Sequence, residues 1–86
     1  RRNRRPGRKE ERAATLDAVR TGETCLYGRA DDPCLAGRLA SLGFLPGVAV
    51  QMLRNAKRGP LLVLARHTRV ALGREIAAGI VVARKG

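Results

Sequence analysis

The stretch RLASLGFLPGV at residues 38–48 constrains the fold most, because it joins the end of a helix to a tight turn. Leu35, Leu39 and Leu42 recur at helical spacing and predict one apolar face that packs inward. Gly43 follows the last of them, where a helix end favours a residue that adopts positive φ without steric cost. The pattern therefore predicts a short helix that ends at Gly43.

The chain on either side of this helix carries matching signals. Asp32 precedes Pro33, so a carboxylate caps free amide groups and proline occupies a first position that needs no N–H donor. After the helix, Pro46 presets φ for a turn and Gly47 tolerates the next turn position. We therefore expect a turn that leads directly into a strand.

Five short segments have the composition of strands, with alternating apolar residues or a brief apolar run bounded by Gly and Pro. The predicted strands are residues 23–28, 48–54, 61–65, 67–72 and 80–83, and single helical turns are expected at 15–19 and 74–78. We expect Leu26 to face the core, and residues 55–60 to form a basic hairpin tip. Five strands and one helix predict a mainly β fold, a small and strongly bent barrel that hides its sheet edges.

Positive charge is concentrated near the N-terminus. The chain has 18 Lys and Arg against 7 Asp and Glu, a net charge of +11, and residues 1–12 alone hold seven basic and two acidic residues. Residues 1–14 contain no large apolar side chain, so we expect a disordered tail, helical at most near residues 10–14, before a single domain at 15–86. Residues 1–12 suit weak contact with nucleic acid or an anionic membrane, or act only as a solvated segment.

Length and hydropathy exclude some classes of protein. A chain of 86 residues buries roughly 60–65% of its unfolded surface, which leaves little room for a large catalytic cleft, so no small-molecule substrate is expected. No apolar run approaches the roughly 18 residues of a membrane-spanning helix, and no apolar segment follows the basic N-terminus as in a signal peptide. We expect a cytoplasmic protein.

Few residues support catalysis or metal binding. His67 stands among arginines without a nearby carboxylate, and the sequence holds no nucleophile motif and no glycine-rich phosphate loop, so we expect no enzymatic activity. Cys25 and Cys34 flank a loop that contains Asp31 and Asp32, and these four are candidate ligands for a soft or borderline divalent ion. The alternative is a pair of partly buried thiols in a reducing compartment.

Several short motifs resemble, in sequence order, those of a known family. The residues that carry the resemblance are Leu39, Leu42, Gly43, Pro46, Gly47, Gly59, Pro60, Ala71, Leu72, Ala77 and Ile80. Together with Arg38 at the start of the central motif and Leu16 near Gly22, they resemble the FeoA family, small cytoplasmic proteins associated with the bacterial ferrous iron transporter FeoB. The resemblance covers about residues 15–83. Ile76 departs from it, since an acidic residue is expected before Ala77.

The resemblance implies an SH3-like barrel that acts as an accessory or regulatory module of ferrous iron uptake. The implied partner is the cytosolic GTPase part of a FeoB-like membrane transporter. The same fold occurs as a C-terminal domain in some metal-dependent repressors, which is an alternative role. We expect no required cofactor, and transient binding of Fe(II) or another divalent ion is left open.

A partner surface is expected around the helix and the turn that follows it. Arg38 and Ser41 lie away from the leucine face, and Phe44 or Leu45 is expected to be partly exposed at the turn. The alternative for Phe44 is that it plugs the end of the barrel. At the hairpin tip, residues 57–58 (Lys57 and Arg58) form a second candidate contact for an acidic partner, or else a solvated loop.

Two other binding functions are weighed against this interpretation. SH3-like domains that bind polyproline peptides use aromatic walls, and proteins that bind single-stranded nucleic acid stack bases on aromatic side chains. The chain has only Tyr27 and Phe44. Polyproline binding is therefore disfavoured, and nucleic-acid binding is reduced to phosphate contact without sequence recognition.

Overall fold

The computed structural model describes the backbone of residues 11–85 and the side chains of residues 13–84. Its strands are β1 Glu11–Thr15, β2 Thr24–Ala30, β3 Ala49–Arg54, β4 Leu61–Ala65, β5 Thr68–Leu72 and β6 Ile80–Lys85. The helices are α1 Pro33–Ser41 and α2 Arg74–Ala77, and a 3-10 turn spans Leu16–Ala18. All strands pair antiparallel in one sheet, in the order β1-β6-β2-β3-β4-β5. This confirms the mainly β class, with six strands in the place of the expected five. Within residues 11–85, the strand order makes β1 and β5 edge strands, which the expected barrel would have hidden.

The additional strand, β1, lies in the segment expected to be a disordered or helical tail. It pairs with β6 along its whole length, and Ala13 lies opposite Ala83. Because β1 has no large apolar side chain, its sequence carries no strand signal, and main-chain hydrogen bonding to β6 accounts for its place in the sheet. The boundary expected at residue 14 therefore falls inside a strand. The remainder of the expected tail, residues 1–10, lies outside the described residues.

Irregular pairing bends the sheet around its core. The register shifts in β2 beside Gly28 and in β3 between Met52 and Arg54, and such bulges increase local twist. A Cβ at Gly28 would lie 2.8 Å from the carbonyl oxygen of Val81, so only glycine permits this approach of β2 to β6. The buried core comprises Leu16, Val19, Cys25, Tyr27, Leu39, Phe44, Val50, Met52, Leu61, Val63, Ala65, Leu72, Ala77, Ile80 and Val82.

The expected orientation of β2 is wrong. Cys25 and Tyr27 are buried, whereas Leu26 is only partly buried on the opposite face. Three consecutive residues with apolar character leave the face undetermined, because alternation identifies a face only where polar residues interrupt it. Pairing with β3 determines the face, since Cys25 lies opposite the buried Val50.

Both predicted ends of α1 are confirmed. The Asp32 carboxylate accepts a hydrogen bond from the Cys34 amide at 3.2 Å, and Pro33 occupies the first turn. At the other end Gly43 has φ +101° and its amide donates to the Ala40 carbonyl at 3.0 Å, while the next amide, that of residue 44, donates to the Leu39 carbonyl at 2.8 Å. This is a Schellman motif, which satisfies carbonyl groups that the helix end leaves unpaired.

The two turns that follow differ in how far the sequence predicts them. Gly47 has φ +91° after Pro46, as expected, and the Val48 amide donates to the Leu45 carbonyl at 3.0 Å. Between β4 and β5, however, His67 does not begin a strand. Arg66 and His67 form a two-residue turn with φ of 49° and 69° (positions 66 and 67 respectively), the backbone that a tight hairpin requires.

Asn55, just after β3, connects three segments, a role that sequence patterns do not indicate. Its Nδ2 group donates to the carbonyl oxygens of Asp17 at 3.0 Å and Val19 at 2.6 Å. Its Oδ1 atom accepts a hydrogen bond from Arg74 Nη2 at 2.5 Å, and its backbone amide donates to Thr21 Oγ1 at 2.8 Å. One side chain thus joins the 3-10 turn to the start of α2.

Replacing this side chain tests its role. Asn55→Ala is expected to lower the free energy of unfolding by about 2 kcal/mol, because two part-buried carbonyl groups lose their donor and Arg74 loses an acceptor. Urea unfolding followed by circular dichroism measures the change. Lys57→Ala, in the same loop, is the control and should change stability by less than about 0.5 kcal/mol. Equal stability of the two variants would contradict the assignment.

Candidate functional site

A groove runs between α1 and the segment formed by β5 and α2. It has a volume of about 380 Å³. A second hollow of about 420 Å³ continues it along α1 and shares Leu35, Arg38 and Ile76 with it. The walls of the first part are Leu35, Arg38, Leu39, Ser41, Leu42, Ala71, Leu72 and Ile76, and the second part adds Asp32 and Cys34.

The groove is apolar because the leucines of α1 do not all reach the core. Leu39 is buried and Leu35 is partly buried, but Leu42 is 42% exposed, so its expected inward position is wrong. Leu42 follows the last helical residue and has φ −94° and ψ 0°, so the backbone has already begun to leave the helix. Its side chain lines the groove instead of the core.

Ile76 supplies the opposite wall. It is 43% exposed in α2, next to the fully buried Ala77. In the resemblance drawn from the sequence, Ile76 is the apolar residue that stands where an acidic one is expected, and its exposure adds an apolar side chain to this surface. Ile76 also lines a third hollow, of about 300 Å³, with Gly59 and Pro60 of the hairpin loop.

Polar groups lie at the rim of the groove. Ser41 donates its hydroxyl hydrogen to the Arg38 carbonyl at 2.7 Å, so this hydroxyl is engaged within its own helix. The Arg38 side chain is exposed. Within the part of the chain that the structure describes, the side-chain ion pairs join Arg29 to Asp31 and Arg84 to Glu23, so Arg38 is not in a salt bridge.

In the turn after α1, one of the two residues expected to be exposed is buried and the other is exposed. Phe44 is 1% exposed, so it belongs to the core and its expected role on a partner surface is wrong; the structure agrees with the alternative to the extent that the ring is buried in the interior. Its ring meets that of Tyr27 edge to face, with centroids 5.9 Å apart. Leu45 is 47% exposed and presents an apolar side chain at the turn.

The hairpin tip is followed by residues that lie close to one wall of the groove. Lys57 and Arg58 are exposed in the loop that connects β3 and β4, before Gly59 and Pro60 contribute to the hollow next to Ile76. The two contact regions proposed from sequence are therefore linked through α2. The sequence pattern does not indicate this link, because residues 59 and 76 are distant in sequence.

The candidate metal ligands do not assemble into a site. Cys25 is buried in β2, and Cys34 is exposed in α1. Asp31 pairs with Arg29 at 2.7 Å, and the Asp32 carboxylate caps α1. Across residues 11–85, no group of three or more His, Cys, Asp or Glu side chains is placed to hold a metal ion.

Burial raises the pKa of the Cys25 thiol from 9.0 to about 11, an effect partly opposed by Arg84. Cys25 should therefore resist thiol reagents in the folded protein, while the exposed Cys34 reacts freely. We expect 5,5′-dithiobis(2-nitrobenzoate) to label one thiol per native chain and two per unfolded chain. Cys34→Ser should remove the fast reaction alone. Rapid labelling of both thiols in the native wild type would contradict the burial of Cys25.

The same thiol affects stability at high pH. Because the folded pKa is higher than the unfolded one, the folded chain holds this proton between pH 9 and about 11 while the unfolded chain loses it. The contribution is complete below pH 9 and is lost as the pH rises through that window. Cys25→Ala should show a smaller decline in the urea midpoint over this range than wild type.

Comparison with protein families matches the FeoA domain to residues 10–84. Comparison with curated protein sequences finds no match. No helix in the described part of the chain has the length and apolar character needed to cross a membrane.

Solved structures share the fold. FeoA from Stenotrophomonas maltophilia, described as a zinc complex and a prokaryotic SH3 domain protein, is 31% identical with a TM-score of 0.72, over 80% of this chain and 88% of its own. An iron uptake regulatory protein (FeoA) is 24% identical with a TM-score of 0.74, over 87% of this chain and 99% of its own. A manganese-dependent transcriptional repressor is 27% identical with a TM-score of 0.74, over 92% of this chain and 48% of its own. The SH3-like fold and the family resemblance expected from the sequence are confirmed.

Proposed function

We propose that this chain, which belongs to the FeoA family, is a non-enzymatic accessory module of ferrous iron uptake. Its proposed partner is the cytosolic GTPase region of a FeoB-like transporter. The family is associated with ferrous iron transport. The observation that supports a binding role is the apolar groove beside α1, which has an arginine at its rim.

The groove has the character of a protein contact. Leu42 and Ile76 leave large apolar side chains exposed on facing walls, and exposed apolar surface in so small a chain is typical of an interaction site. Arg38 adds positive charge at the edge, where electrostatic complementarity favours an acidic partner and speeds association. An apolar centre with a charged rim is the usual organisation of a protein interface.

The polar groups at the groove support binding better than catalysis. Its polar side chains are Asp32, Cys34, Arg38 and Ser41. Asp32 caps α1 and Ser41 donates to a carbonyl group, so neither is paired with a general base or a nucleophile. Any effect on GTP hydrolysis would therefore be exerted through the partner's own catalytic groups.

Nucleic-acid binding is the second function that the charge favours, but the aromatic residues do not support it. Tyr27 and Phe44 are the chain's only aromatic residues, and both are buried. Base stacking, which gives single-strand binders much of their affinity, therefore has no exposed Tyr or Phe ring to use, and His67 is the chain's single imidazole. Phosphate contact through basic side chains is what remains of this alternative.

A charge reversal at the groove tests the proposed function. Arg38→Glu is expected to weaken binding to the purified cytosolic GTPase region at least about tenfold, through lost attraction and added repulsion. Isothermal titration calorimetry measures the dissociation constant. Arg20→Glu, the same charge change at an exposed residue outside the groove, is the matched control.

The hairpin tip is tested in the same titration. Lys57→Glu/Arg58→Glu should reduce affinity by a smaller factor, about threefold, if the tip forms a peripheral contact. Equal affinities for wild type, Arg38→Glu and the hairpin variant would reject both surfaces, and the absence of binding by wild type would reject the partner.

A further inference from the structure

β5 lies at one edge of the sheet. Within residues 11–85, β4 pairs with one side of it and no strand pairs with the other. Ala65 and Thr68 flank the two-residue turn and form the first hydrogen-bonded pair between β4 and β5. In an antiparallel pair every second residue bonds to the partner strand, so Val70 and Leu72 also bond to β4. Arg69 and Ala71 therefore direct their main-chain N–H and C=O groups to the free side.

This edge lacks the usual protection. An exposed edge is commonly blocked by proline, by several charges or by a covering helix. β5 has no proline and one charged residue, Arg69. The helix α1 packs against β2, and the groove between α1 and β5 is lined by Ala71 and Leu72 on the β5 side. The free edge of β5 thus opens directly onto the apolar groove.

Ala71 and Leu72 of β5 line the groove, so an extended segment paired with the free edge of β5 would lie along it. In such a strand alternate side chains point to opposite faces. Side chains on the inner face would contact Leu42 and Ile76 across the groove, whereas those on the outer face would lie beside the exposed Arg69. The geometry therefore favours a segment in which apolar and acidic residues alternate.

Charge selects between a partner protein and a second copy of this chain. Arg38 and Arg69 are exposed on the two sides of the groove. The Arg66 side chain lies against the end of α1, since a Cβ added at Gly43 would be 3.3 Å from the Cδ atom of Arg66. Two copies paired along β5 would bring these arginines together, and each copy has a net charge of +11. An acidic segment would instead be attracted.

We propose that the free edge of β5 receives an extended segment of an acidic partner as an additional strand, with alternate apolar side chains in the groove beside α1. This inference rests on the proposed function, since the transporter's GTPase region is the partner it concerns. It adds the mode of recognition: main-chain pairing to Arg69 and Ala71 supplies affinity, and the groove supplies selectivity.

Amide hydrogen exchange on the wild-type protein tests the pairing without any substitution. The amides of Arg69 and Ala71 face solvent in the free protein and should exchange at least about tenfold more slowly when the purified GTPase region is bound. The amides of Val70 and Leu72, already bonded to β4, serve as internal controls. Unchanged exchange at Arg69 and Ala71 in a complex that does form would overturn the inference and leave the proposed function intact.

Substitutions at the edge give an independent measurement. Ala71→Pro removes a donor that no described residue uses, and its ring obstructs an incoming strand, so affinity should fall at least about tenfold. Ala71→Thr keeps the N–H group and is the matched control, expected to bind within about threefold of wild type. Circular dichroism confirms that both variants are folded.

Charge reversal at Arg69 completes the test. Arg69→Glu should weaken binding by about threefold to tenfold, compared with Arg20→Glu as the control for charge alone. Wild-type affinity in both Ala71→Pro and Arg69→Glu, together with loss in Arg38→Glu, would overturn strand addition while the partner assignment stands. No binding by wild type would overturn both.

Discussion

The edge-to-face contact between Tyr27 and Phe44 attaches the end of α1 to the inner face of the sheet. Both rings are buried, and aromatic pairs in this geometry contribute beyond the area they bury. Full burial of a side chain such as Phe44 contributes on the order of 2 kcal/mol, a large fraction of the stability of so small a domain. The position of α1, and hence one wall of the groove, depends on this contact.

The backbone around Phe44 reinforces the same attachment. The amide of Phe44 donates to the Leu39 carbonyl, and the next turn returns to β2, where the Gly47 amide donates to the Tyr27 carbonyl at 2.8 Å. Helix end, turn and strand therefore share one hydrogen-bonded corner. Since Leu39 and Phe44 fill the core from this corner, Leu42 cannot also reach it, and its exposure on the groove is a consequence of the fold.

Local signals in the sequence predicted local structure well. The cap at Asp32, the helix end at Gly43 and the bounds of the strand at residues 61–65 depend on neighbouring residues, and the structure confirms them. The predictions that Leu26 and Leu42 face the core were wrong, and β1 was not predicted as a strand. Pairing and packing with residues distant in sequence determine all three. The groove likewise forms because Ile76 lies opposite α1 in the folded chain, and no local sequence pattern indicates that placement.

The character of the proposed binding surfaces follows from which side chains the core takes up. Both aromatic rings are taken up in the interior, so the exposed surface offers aliphatic side chains and arginines, a composition suited to another protein more than to bases or polyproline. The groove and the free edge of β5 meet at Ala71 and Leu72, so the apolar wall and the unpaired main chain form one continuous surface.

Native-state amide hydrogen exchange in increasing denaturant tests the central claim most directly. If the aromatic contact makes α1 and the sheet one cooperative unit, the amides of Phe44 and Tyr27, which donate to the Leu39 and Val48 carbonyls, should open with the same free energy as global unfolding. An opening free energy for the Phe44 amide about 2 kcal/mol or more below that of Tyr27 would show that α1 detaches by itself, and would contradict the account.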